Sequence, residues 1–254
     1  MTHRGLDCGV RAQEGRDGSG LRWGLDDDEA FCHLLGVDRI SWAYVNPENA
    51  SSTGVTVGFV SRYVALEGGD GSGKSTVSAA LRTRLEESGR SVVVVREPGG
   101  TPLGEVVRGL LLDSDRLDDW AEVFLFAAQR AELASEVVAP ALEAGDWVLS
   151  DRTYYSSIAY QGKARGLGED LVRSINETGL DGVVPDHVFV LDVDPETALA
   201  RQDRPDRIGG EGVEFQAAVR EGYLNLGRSD SRVTILDGSL PVADLVDQIF
   251  EMVT

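Results

Sequence analysis

Lysine is nearly missing from this 254-residue chain: Lys74 and Lys163 are the only two, so almost all of its 24 basic residues are arginines. Cysteine is scarce too. Cys8 and Cys32 both lie near the N-terminus, and two thiols make neither a disulfide framework nor a metal-ligand cluster. The three histidines, His3, His33 and His187, are read as structural or surface residues. No apolar run approaches the ~20 residues that span a bilayer, and no basic segment followed by an apolar stretch opens the chain, so neither a membrane partner nor a secretory leader is expected. Cytoplasmic localisation follows as the expectation. Positive charge is in deficit: the formal net charge is -19. Such a surface repels a nucleic-acid backbone, which excludes nucleic acid as a partner. A small polyanion can still be captured where arginines focus potential in one cleft.

What is present is an ordinary apolar fraction, 42%, on a chain long enough for one large α/β domain, alone or with an appendage. Residues 1–60 differ from the rest. "RAQEGRDGSG" is polar and glycine-rich, "DDDEAFCHLLGV" fits one short helix, and "NPENASSTG" gathers turn formers. No apolar periodicity there lasts long enough for a core. The segment reads as an N-terminal extension, poorly ordered or the product of an upstream start codon, and dispensable to residues 61–254. From Tyr63 onward short β-branched runs appear: "RYVALEG", "SVVVVREP", "WVLSDR", "HVFVLDV" and "RVTILDG". Helical patterns separate them, at 74–88, 103–112, 119–143, 168–178, 195–202, 213–227 and 241–252. This alternation predicts a parallel sheet with helices on both faces.

"GGDGSGKS", Gly68 to Ser75, fits G-x-x-x-x-G-K-[ST] between a predicted strand and a predicted helix, which is the context that motif requires. Glycines let backbone N–H groups close around phosphate oxygens, and the following helix aims its positive end at them. The stretch Gly68, Gly69, Asp70, Gly71, Ser72, Gly73, Lys74, Ser75 and Thr76 is therefore the expected ATP site. Lys74 reaches the β- and γ-phosphates and Ser75 offers a hydroxyl to Mg²⁺. A phosphate cradle alone also suits a GTPase or a motor ATPase, so other stretches must name the acceptor. "VVVVREPGGT" ends a strand in a loop, where open α/β sheets bind ligands. "AEVFLFAAQR" places Phe126 and Arg130 four apart on one helix face, an aromatic plate beside a guanidinium. "WVLSDRTYYSSIAYQG" ends a strand on Asp151 and Arg152, then runs through hydroxyls and aromatics to Gln161.

In order and spacing, "EGGDGSGKST", "REPGGT", "AEVFLFAAQR" and "DRTYYSSIAYQG" resemble the thymidylate kinase family, over about residues 62–254. The resemblance implies a P-loop NTPase fold of five parallel strands with a mobile lid at about 202–213. It implies ATP with Mg²⁺ as donor, dTMP as acceptor, and a homodimer. It places Asp70 at the 3′-hydroxyl of dTMP, Glu97 and Pro98 beside sugar and base, and Arg108 and Arg152 on the acceptor phosphate. Phe126 would stack on thymine, with Arg130 donating to its O4. Ser156, Ser157 and Gln161 would surround the base edge, Gln161 donating or accepting at N3. Tyr160 would pack under the deoxyribose, and Asp151 would hold the Mg²⁺ water shell. Some family members carry an arginine directly after the phosphate-loop aspartate; Gly71 stands there in this chain. Members without it use lid arginines, supplied here by Arg201, Arg204 and Arg207, of which Arg204 and Arg207 are the catalytic candidates. Another deoxynucleoside-monophosphate kinase, or a nucleotide-binding regulator without transfer activity, is the alternative. A motor ATPase fits less well, because "VFVLDV" is not followed by an acidic pair.

Overall fold

The computed structural model describes residues 62–201 and 207–254, together with two short strands, Ala12–Gln13 and Arg22–Trp23. The chain divides into two units, Met1–Val57 and Gly58–Thr254. In the first, Ala12–Gln13 pairs antiparallel with Arg22–Trp23. The expectation of a poorly ordered extension over residues 1–60 otherwise lies outside the described residues, as does the stretch 202–206 of the expected lid.

In the second unit the five β-branched runs form β1 (Tyr63–Glu67), β2 (Val92–Arg96), β3 (Trp147–Asp151), β4 (His187–Asp192) and β5 (Val233–Asp237). All pair parallel, in the order β2-β3-β1-β4-β5. Every residue of the central β1 is buried, as expected of a strand with neighbours on both edges and helices on both faces. Its side chains alternate between two cores. Val64 and Leu66 face Val77, Leu81 and Leu85 of α1 (Lys74–Glu87) and Ile249 of α9 (Val242–Val253). Ala65 faces Tyr154, Ile158, Tyr223 and Leu226 on the other side. Leu66 pairs with Asp151 and Glu67 with Val190, so the carboxyl ends of β1, β3 and β4 emerge on one edge of the sheet, with β4 running two residues further. That shared edge is where an open α/β sheet binds its ligand.

The connecting helices begin as their sequences suggest. Thr101 accepts from Gly104 N at 2.9 Å to cap α2 (Pro102–Asp113), with proline in the first turn. Asp118 caps α3 (Asp119–Leu133). The helical stretch then continues through a π-wound segment, Ala134–Val138, into α4 (Ala139–Glu143). The wider turn falls just before Pro140, whose ring crowds the carbonyl four residues back. One helical stretch has no counterpart in the sequence reading: α5 (Tyr154–Ser157) runs on into a second π-wound segment, Ile158–Ala164. All residues from 153 to 162 are buried, so no polar face exists to make a period visible. Further along come α6 (Glu169–Leu180), α7 (Pro195–Ala200) and α8 (Val213–Ser229). No described helix is long and apolar enough to cross a membrane.

Candidate active site

The loop between β1 and α1 turns tightly because Gly71 adopts φ 82°. A Cβ there would lie 2.1 Å from the carbonyl oxygen of Ala198, so α7 backs directly onto the loop. At the start of α1 no side chain caps the first turn and no acid lies in it, which leaves its N–H groups and the helix's positive end for an anion. The Lys74 side chain folds across the loop and donates to Gly68 O at 3.1 Å, Gly69 O at 2.8 Å and Ser72 Oγ at 3.3 Å. Burial, helped by nearby Arg152 and opposed by Asp70, Asp151 and Glu67, pushes the Lys74 amine down to about 8.

Beside it, Ser75 donates to Asp151 Oδ2 at 2.7 Å. The parallel pairing of β3 with β1 brings these two oxygens together across 76 positions of sequence. Arg152 follows in the left-handed region, φ 73°, a backbone conformation that costs energy and clusters at functional sites. Its guanidinium bonds Gly68 O at 3.2 Å and Ser156 Oγ at 3.1 Å, and forms an ion pair with Asp70. Tyr160 donates to the other Asp70 oxygen at 3.2 Å. Burial opposes the charge on Asp70, yet Arg152 and Lys74 outweigh it and hold the carboxyl below its usual range.

What holds the strained turn is Glu67, absent from the sequence reading. Its fully buried carboxylate accepts from Thr153 N at 2.7 Å, Thr153 Oγ1 at 2.8 Å, Ser156 Oγ at 2.6 Å and Tyr223 OH at 2.8 Å. Only its position as the last residue of an apolar strand hinted at this role.

The phosphate loop from Asp70 onward, Asp151 and Arg152 line one cavity of about 740 Å³. The expected acceptor residues Glu97, Pro98, Arg108, Phe126, Ser156, Ser157, Tyr160 and Gln161 line it as well. Arg108 donates to Pro98 O at 2.7 Å. Arg130 is placed differently, behind the cavity wall and 2% exposed. It pairs with Glu97 and donates to Asn176, to Ser157 Oγ at 3.2 Å and to Thr153 O at 3.2 Å. Burial pushes the Glu97 carboxyl up against the pull of Arg130. The cavity is also lined by Gly238, Ser239, Leu240, Val242 and Leu245, which the sequence reading missed. The signal was available: a glycine-containing loop after a strand, as at Pro98–Gly100.

Of the arginines expected in a lid, Arg201 and Arg207 lie apart. Arg201 lines the cavity and approaches Gly71 O at 3.4 Å. Arg204 lies outside the described residues. Arg207 turns to the acceptor side, donating to Leu111 O at 3.0 Å and Glu122 Oε2 at 2.6 Å.

Comparison with known proteins agrees with this geometry. A family model described as thymidylate kinase matches residues 66–249. The thymidylate kinase of Thermosipho melanesiensis is 44% identical over 189 residues, covering 74% of this chain and 94% of its own. That of Deinococcus radiodurans is 41% identical over 197 residues, covering 76% and 96%. The crystal structure of thymidylate kinase from Ehrlichia chaffeensis superposes with a TM-score of 0.63 at 32% identity, covering 75% of this chain and 96% of that one. A phosphate loop of this form, an aspartate-arginine turn beside it, an aromatic-walled cavity facing both and these relatives together show that the chain belongs to the thymidylate kinase family.

Proposed function

We propose that the chain transfers the γ-phosphoryl group of ATP to the phosphate of dTMP, giving dTDP and ADP. The observation that carries this reading is one cavity lined by the phosphate loop, by Arg152, and by Phe126 and Gln161. The proposal puts triphosphate on the loop and Lys74, the adenine toward Gly238–Leu245, and the acceptor phosphate on Arg152 and Arg108. Ser75 and Asp151 form an oxygen donor pair suited to hydrated Mg²⁺, Ser75 directly and Asp151 through water; bound with ATP, the ion supplies neutralisation of the β- and γ-phosphates. No general base is needed, because the attacking phosphate oxygen is already deprotonated at neutral pH. The residues position, neutralise and exclude water. Coupled detection of dTDP from dTMP and Mg-ATP tests the reading, with dUMP, dCMP, dGMP and thymidine as competing acceptors. ATP binding without dTDP production would favour the silent regulator, against which intact Lys74, Ser75, Asp151 and Arg152 argue.

At the acceptor end, Phe126 stacks on the base, Asp70 meets the 3′-hydroxyl, Tyr160 lies under the sugar and Ser157 flanks the base edge. Arg130 has one N–H beyond the four it gives to protein, of the five a guanidinium carries, and the proposal assigns that group to thymine O4. Phe126→Ala is expected to raise the KM for dTMP by about 5- to 150-fold, the equivalent of about 1–3 kcal/mol of stacking, while the KM for ATP hardly moves. Equal damage to both constants would contradict the base pocket.

A homodimer and cytoplasmic localisation complete the proposal. Leu103, Val106 and Leu110 of α2 and Phe124 of the adjoining α3 are 43–65% exposed, an apolar face that suits a second copy. Sedimentation at micromolar concentration should give twice the chain mass of 27.3 kDa; a monomer at all concentrations would remove the dimer.

A further inference from the structure

One buried carboxylate next to the base edge takes no part in the mechanism above. Glu122 sits in the first turn of α3, where an acid ordinarily faces water, yet it is 1% exposed. Its Oε1 accepts from Gln161 Nε2 at 2.7 Å and from Arg165 Nε at 2.9 Å. Its Oε2 accepts from Arg165 Nη2 at 3.2 Å and from Arg207 Nη2 at 2.6 Å. Burial alone would raise this carboxyl, but bonds from Arg165 and Arg207 hold it below its usual range and keep it charged. Arg165 also reaches Glu211, at 2.9 Å, in the same lid segment as Arg207.

An ionised carboxylate only accepts, so Gln161 must turn its NH₂ toward Glu122. The carbonyl oxygen is then left as the group Gln161 offers the cavity, and that oxygen is buried without a hydrogen-bond partner. Such a group is costly to leave unpaired, and it calls for a ligand that donates.

We infer that Glu122 is a positioning residue for base selection: it makes Gln161 an obligate acceptor and ties that amide to the lid through Arg207. Resting on the dTMP reading, this means the site favours a base with an N–H at that edge. Thymine carries one at N3; cytosine presents a lone pair there and meets repulsion. A site built around a hydrogen bond discriminates strongly against a ligand that cannot complete it.

The test measures kcat/KM for dTMP and dCMP with Mg-ATP in the full chain and in Glu122→Gln. A neutral amide at 122 can donate as well as accept, so Gln161 is released to flip. The dTMP:dCMP ratio should fall by about tenfold or more, through the KM for dTMP, with the KM for ATP unchanged. If Glu122 were only a structural brace, both substrates would suffer alike and the ratio would stand, which would overturn the inference. Should Glu122→Gln not fold, Gln161→Leu carries the test: it deletes the acceptor and leaves Glu122 between its arginines, and an unchanged ratio again overturns the inference. Arg207→Gln is the control, expected to keep the ratio; an equal fall in the ratio would mean general loosening, not a locked amide, and would also overturn it. A wild-type chain that ignores dTMP sinks the function and this inference together, whereas normal dTMP turnover with an unchanged ratio in Glu122→Gln sinks the inference alone.

Discussion

Replacing Lys74 with alanine is expected to lower turnover by about 10³, the upper range for deleting one preorganised donor to developing phosphate charge, without unfolding the protein. The three bonds of its ammonium all end within the phosphate loop or on its serine, so no distant element loses an anchor. Circular dichroism and single-turnover assays separate the two effects; a folded variant with normal turnover would contradict the phosphate-loop reading. A second measurement follows from the amine being pushed down to about 8 by burial and Arg152. As pH rises past that value the free protein increasingly carries a neutral Lys74, whereas an adjoining triphosphate favours the charged form. Nucleotide binding should then take up a proton, detected by calorimetry in buffers of different ionisation enthalpy and lost in Lys74→Ala. The same depressed value sets a stability term. The unfolded chain binds this proton more tightly, so keeping Lys74 charged and buried works against folding below about 8. That penalty is relieved as pH rises from there toward the ordinary lysine range.

The lid carries the other large effect. With Gly71 in the phosphate loop, a cation must enter from elsewhere when donor and acceptor meet. An arginine that reaches transferring phosphates contributes about 10³–10⁵ in turnover. Arg207 is held on the acceptor side by Glu122, and Arg201 touches the loop backbone from the end of α7, which leaves Arg204 as our choice. Arg204→Ala should lower turnover by about 10³–10⁵ and barely change dTMP affinity. If Arg204→Ala combined with Arg207→Ala turns over at the wild-type rate, the lid is a passive cover, and Lys74 and Arg152 alone supply the charge.

The sheet was legible in the sequence because each strand is a β-branched run bounded by turns, and the phosphate loop because its glycines, lysine and serine sit in consecutive positions. Asp151 and Arg152 were legible for the same local reason. Glu122 and Glu67 were not. An acid in the first turn of a helix has a sufficient local explanation in the helix dipole, and the partners that bury Glu122 stand 43 and 85 positions away. Glu67 looks like the polar end of a strand until Tyr223, 156 positions on, closes over it. The Tyr154–Ala164 helical stretch stayed hidden because burial on every side erases periodicity, and its aromatic and hydroxyl residues are weak helix formers. Arg130 shows the converse: its spacing from Phe126 was read correctly, but nothing local shows that Glu97, Ser157 and Asn176 surround it.

The carbonyl of Ala198 behind Gly71 has a consequence for idle turnover. A side chain at 71 would strike the backbone of α7 at 2.1 Å, and no rotamer relieves a clash that begins at Cβ. Position 71 is thus barred from adding a second loop cation beside Lys74. On the proposed mechanism, ATP docked under an open lid is held but not activated, and water that wanders in meets a triphosphate whose charge is only partly met. Full activation waits for closure, which also shuts water out. On that mechanism the backing helix would guard against futile hydrolysis. A Gly71→Arg variant that managed to displace α7 would be expected to leak phosphate from ATP in the absence of any acceptor.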